Sequence, residues 1–181
     1  MKIWAAIRDA VIGWIMLLRG EEGWRAHFRL TPAGFATALI IFACLNFLAV
    51  AITSLGIGLP SLIGVVAAMF VLALPLTATV VVLLGTRMAL RSEKPVLDVL
   101  VPATYAITAF LFVEGFLAML GGPVVMLAWL GLAYLLYRLA RAAMGWNAAF
   151  SAGFAVLTVV LLVAMRLALY MLSTTAAGSP I

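Results

Sequence analysis

Residues 35–55 read FATALIIFACLNFLAVAITSL, without a single charge. About 20 apolar residues in a helix cross the roughly 30 Å hydrocarbon core of a bilayer. Four further runs meet that length, at 62–84, 96–120, 123–140 and 147–172. The breaks between them are legible. GIGLPS at 56–61 and GGP at 121–123 are tight turns, and RMALRSEKP at 87–95 is a charged loop. Pro123 suits the first turn of the helix that follows it. Hydrophobic residues make up 67% of the chain and charged residues 9%. Soluble domains run near 45–50% apolar and about 25% charged. The side chains that would clothe so much apolar surface in water are missing, and lipid removes the need for them. These features predict an all-α integral membrane protein. Residues 31–172 form a bundle of five transmembrane helices. An N-terminal interfacial amphipathic helix and an aromatic, basic linker precede it in 1–30, and a short tail follows at 173–181.

The net charge is +5 and the pI about 10.0. Where the bases lie matters more than their sum. Lys2, Arg8, Arg19, Arg25 and Arg29 precede the first span. Arg87, Arg91 and Lys94 lie between the second and third, and Arg138 and Arg141 near the junction of the fourth and fifth. The alternate connections and the tail carry no Lys or Arg. Short basic loops stay cytoplasmic, so the N-terminus is read as inside and the C-terminus as periplasmic or extracellular. The same bases suit anionic lipid headgroups at the cytoplasmic face rather than nucleic acid. Compact loops and spans rich in alanine, leucine and valine point to a bacterial inner membrane.

Within residues 1–18, Trp4, Ile7, Val11, Trp14 and Leu18 recur at spacings of three and four, which draws one apolar stripe on a helix. Lys2, Arg8, Asp9 and Arg19 interrupt it, so the segment reads as a helix lying in the membrane interface. A helix packed on the ends of the bundle, or on a partner, is the competing reading. The linker GEEGWRAHFRLTP at 20–32 adds Trp24 and Phe28, so Trp4, Trp14 and Trp24 are the expected interfacial membrane contacts. Thr31 before Pro32 reads as a helix cap.

Two charges fall inside spans. Glu114 lies six residues before Leu120, where the third span ends, and Arg166 six residues before Leu172, where the fifth ends. These spans run in the same direction, so both groups sit about 9 Å below the same boundary. A lone charge at such depth costs about 2.5–3.5 kcal/mol on insertion scales. Equal depth predicts an ion pair between Glu114 and Arg166. Its role stays open between helix registry, ion or proton coupling, and an Arg166 that snorkels to the headgroups without meeting Glu114. Asn46 is expected to find an interhelical hydrogen bond. Thr77, Thr79, Thr104 and Thr108 are expected to bond back to their own helices, and Pro75 and Pro102 to kink theirs. Cys44 reads as a small packing residue. Ala149 and Gly153 form a small-xxx-small face suited to close packing. Asp98 reads as a first-turn acid that favours the helix dipole, beside the loop charges.

No Ser-His-Asp or Cys-His set, HExxH, Cys pair, Walker sequence or GxGxxG followed by an acid occurs. The lone His27 has no cysteine or second histidine to share a metal with. No catalytic residue, metal ligand or cofactor is expected, and the chain reads as non-enzymatic.

The layout resembles the YIP1-type membrane proteins. The features that carry the resemblance are the five-span topology, GTRMALR at 85–91 leading through Pro95 to Tyr105, and RLARAAMGWNAA at 138–149. The resemblance covers roughly residues 29–172. The aspartate-leucine-tyrosine-glycine-proline motif of the eukaryotic members is absent, and no site residue carries over. It implies a membrane adaptor or organising role. The expected function is therefore an inner-membrane adaptor or accessory subunit that binds lipid and other membrane proteins, or its own copies. The alternative is a small transporter or channel subunit that uses the Glu/Arg pair.

Overall fold

The computed structural model describes residues 3–54, 58 and 61–176. The first two residues, residue 55, most of the expected turn at 56–61 and the end of the tail from 177 lie outside the described residues. The described residues form six α-helices joined by turns, with no strand among them: α1 (Ile3–Arg19), α2 (Pro32–Ser54), α3 (Leu62–Ala89), α4 (Leu97–Leu120), α5 (Val125–Met144) and α6 (Ala148–Ala176). The last five are long and apolar enough to cross a membrane. This is the architecture of a multi-pass membrane protein.

Caps define the helix starts. The Thr31 hydroxyl accepts from Gly34 N–H at 3.1 Å, Ser61 from Gly64 N–H at 3.1 Å, and the Asn147 side chain from Phe150 N–H at 2.9 Å. Three helices run past the expected end of their spans. α3 continues through Arg87 to Ala89, α5 through Arg141 to Met144, and α6 through Ser173, the expected start of the tail, to Ala176. A charge marks where hydrocarbon ends and does not break a helix. α5 stops only where Gly145 takes a φ of 64°, in the left-handed region, and returns its N–H to Arg141 O at 3.1 Å.

α4 is the centre. From Val99 to Thr108 nearly every side chain is buried. α4 packs on α5, α5 on α6, α6 on α3 and α3 back on α4, while α2 seats against α3 and α4. Ile107, Leu83, Leu136, Leu139, Phe154 and Leu162 fill the interior. This core is one-sided. The last buried residue of α4 is Leu111, and Phe112, Val113, Phe116, Met119 and Leu120 are exposed. Apolar packing is therefore dense near the start of α4 and sparse near its end.

The threonines bond back as expected. Thr79 donates to Pro75 O, Thr104 to Leu100 O and Thr108 to Thr104 O, each at 2.8 Å, and Thr77 to Ala73 O at 3.1 Å. Three expectations are corrected. Asn46 is buried, but its Nδ2 has no hydrogen-bond partner. Cys44 is exposed and packs no core. Ala149 and Gly153 face outward, because α6 buries Ser151, Phe154, Ala155, Thr158 and Leu162 instead. The larger side chains of that stripe fill the space between α5 and α3.

Candidate functional site

The structure brings Glu114 of α4 and Arg166 of α6 together. Arg166 Nη1–H donates to Glu114 Oε1, and Nη2–H donates to Oε2 at 2.8 Å. Both nitrogens of the fork thus engage both oxygens of the carboxylate, the geometry in which such pairs are strongest and most directional. Trp129 of α5 is the third member, its Nε1–H donating to Glu114 Oε1 at 2.6 Å. The side chains are 24% exposed for Arg166 and 12% for Glu114. Arg166 Nε is buried and has no acceptor.

Trp129 is not among the residues read from the sequence. Its signal was the same depth count, since Trp129 lies six residues after Pro123, where the fourth span begins at the same boundary. An indole there passes for a belt residue, and only the neighbouring carboxylate distinguishes it. The cluster sits one turn beyond Leu111, where the apolar core ends, and joins α4, α5 and α6 where apolar contacts are few.

The second polar assembly lies at the opposite end, where the linker folds back on the bundle. Arg25 Nε–H donates to Asp98 Oδ2 at 3.3 Å, and its Nη2–H to Ala143 O at 3.0 Å. One guanidinium thus bridges the acid in the first turn of α4 and the carbonyl end of α5, both electrostatically suited to a cation. Asp98 pairs with this linker residue rather than with the bases of the α3–α4 loop. Arg138 Nη2–H donates to Leu17 O at 3.0 Å and caps the end of α1.

The expected interfacial tryptophans divide. Trp4 is 82% exposed and free to meet lipid. Trp14 is half-buried and donates its Nε1–H to Pro102 O at 3.1 Å. Trp24 as a membrane contact is corrected. It is 6% exposed, packs edge-on to Phe28 at 6.0 Å, and lies under the Arg25 guanidinium at 4.9 Å. The anchoring of Arg25 draws its neighbour into the protein. α1 likewise buries Ala6, Ala10, Gly13 and Leu17 rather than the whole tryptophan stripe. Among the described residues, no three His, Cys, Asp or Glu side chains come close enough to hold a metal ion. Comparison with family models, with curated proteins and with solved structures returns no match.

Proposed function

We propose that this chain is a non-enzymatic membrane adaptor or accessory subunit, which binds other membrane components through its helix faces and the segment before α2. The observation that carries the reading is the state of its intramembrane charges. Glu114 takes both terminal nitrogens of Arg166 and the indole of Trp129. The groups that could serve a cargo serve one another, and the helices turn apolar side chains outward. The resemblance in layout to YIP1-type proteins supports the same reading. The clustering of bases supports an orientation with that end in the cytoplasm, and the compact loops and alanine-, leucine- and valine-rich spans support a bacterial inner membrane. One observation favours the alternative, a small transporter or channel subunit: the buried Arg166 Nε–H has no acceptor, and a coupling site needs such a donor.

Purification from native membranes in mild detergent tests the reading. The expected result is a stoichiometric membrane protein partner whose assembly falters when this chain is deleted. A chain that purifies alone, with no membrane complex altered by its deletion, sinks the adaptor. Flux in liposomes that Glu114→Gln abolishes would install the transport reading instead.

A further inference from the structure

Two cavities share Tyr105 in their walls. The first, of about 110 Å³, has a mixed polar and apolar lining and lies between α1, the linker and the start of α2 and α4, with Asp9, His27, Arg29 and Thr37 in its lining. The second, of about 360 Å³, is apolar and lies along the crease between α2 and α4 beneath α1, past Trp14, Leu45 and Phe112. Tyr105 lines both. The order along the parallel helices is consistent. Gly34 and Val101 line the smaller, mixed cavity, and Leu45 and Phe112 the apolar one. At 1.5 Å per residue that is a depth of about 17 Å on each helix. One leaflet of a bilayer with about 30 Å of hydrocarbon is close to that depth.

The charges at the mouth are complementary to an anion. Asp9 pairs with Arg8 at 3.2 Å. Arg29 is exposed, and among the described residues no acid pairs with it. His27, half-buried beside it, has no acidic partner there either. An acyl chain gains little by leaving lipid for an apolar groove, because the two surroundings are equally apolar. Selectivity therefore rests on the headgroup, and these residues favour a negative one.

We propose that this crease holds one anionic glycerophospholipid, its phosphate at Arg29 and His27 and one acyl chain running past Tyr105 towards Phe112. The site is independent of the adaptor reading, since lipid retention decides one and a protein partner the other.

The test uses the full chain reconstituted in vesicles of phosphatidylglycerol and phosphatidylcholine in equal parts, then extracted and weighed by native mass spectrometry. One phosphatidylglycerol per chain is expected. Arg29→Gln should cut the ratio of retained phosphatidylglycerol to phosphatidylcholine about fivefold, the worth of one cation near an anionic surface. Arg91→Gln, a cation at the same end but outside both cavities, should leave it unchanged. Ala109→Phe, on the exposed part of the groove, should remove both lipids while the chain stays monodisperse and helical. Photoreactive acyl phosphatidylglycerol on the unaltered chain provides a measurement that no folding defect can confuse. Labelling at Leu45 or Phe112 is the expected result. Equal retention of both lipids by the unaltered chain, or an Arg29→Gln ratio that does not fall, overturns the proposal. So does labelling spread over outward residues such as Val66, or a crease that cross-links to a second protein's helix instead.

Discussion

At the scale of the residue, the cluster of Glu114, Arg166 and Trp129 sets a test that separates pairing from mere presence. Removing one partner of a buried pair strands the other, which costs about 3–5 kcal/mol, whereas replacing both with apolar groups is often near neutral. The two single changes should also differ from each other. Arg166 has a long apolar stem and can carry its charge part of the way to the boundary, about 9 Å above its backbone, once Glu114 is gone. Glu114 is short and cannot. Arg166→Leu should therefore destabilise the bundle by more than Glu114→Gln does, and the double change by less than either. Unfolding in mixed detergent–denaturing micelles, followed by circular dichroism, reads all three. A double variant as unstable as the sum of the singles would show that the groups do not rely on each other. Trp129→Phe removes one hydrogen bond to a carboxylate and should cost about 1.5–3 kcal/mol on the same assay. The pair was legible because depth in a membrane can be counted along a sequence. Asn46 shows the limit of such counting. Its burial was legible, but whether a partner stands opposite depends on the rotation of α2 against α3 and α4, which uniformly apolar spans leave unspecified.

At the scale of the element, α1 shows what hydrophobic periodicity misses. The stripe of Trp4, Ile7, Val11, Trp14 and Leu18 is the stronger apolar signal, yet α1 buries Ala6, Ala10, Gly13 and Leu17. Small residues carry little hydropathy but let a helix approach closely. Gly13 makes this concrete. A Cβ there would stand 2.5 Å from Phe28 Cε2 and 3.0 Å from His27 Cβ. Phe28 is itself buried against Trp24 and Tyr105 and has little room to move. Gly13→Ala gains up to about 1 kcal/mol of helix propensity, but overpacking costs about 1–3 kcal/mol. Gly13→Leu removes any ambiguity of sign. It should speed amide hydrogen exchange in residues 3–19 at least about tenfold, which corresponds to about 1.4 kcal/mol of local stability. Exchange in α5 and α6 should stay near its original rate. Gly85→Ala is the contrast. It lies inside α3, where a Cβ meets nothing within 4 Å, so only the propensity gain remains. Slower exchange of α1 in the Gly13→Leu chain would mean that the helix is not docked through this face.

At the scale of the whole molecule, packing and charge are distributed along the same axis. The end that holds the linker, the α3–α4 loop and the close of α5 is tied by Arg25 to Asp98 and Ala143, and by Arg138 to Leu17. Among the described residues it carries every Lys and Arg except Arg166. The connections of the other end carry none in the sequence, and that end holds the cluster around Glu114. The five long apolar helices were legible because runs of about twenty apolar residues are long enough to cross the hydrocarbon of a bilayer. The docking of the linker was not, because Trp24 and Arg25 have the composition of a membrane belt and only tertiary contact assigns them to the protein. The positive-inside rule predicts that the basic end faces the cytoplasm. Ser92 and Ser173, at opposite ends of the bundle, provide the test in a Cys44→Ala background. An impermeant maleimide should label Ser173→Cys in intact cells and Ser92→Cys only after the membrane is opened. The reverse pattern would put the basic end outside, with Arg29 facing a different leaflet. Labelling of both positions in intact cells would break the alternation of the spans and require that one of the five apolar helices not cross the membrane.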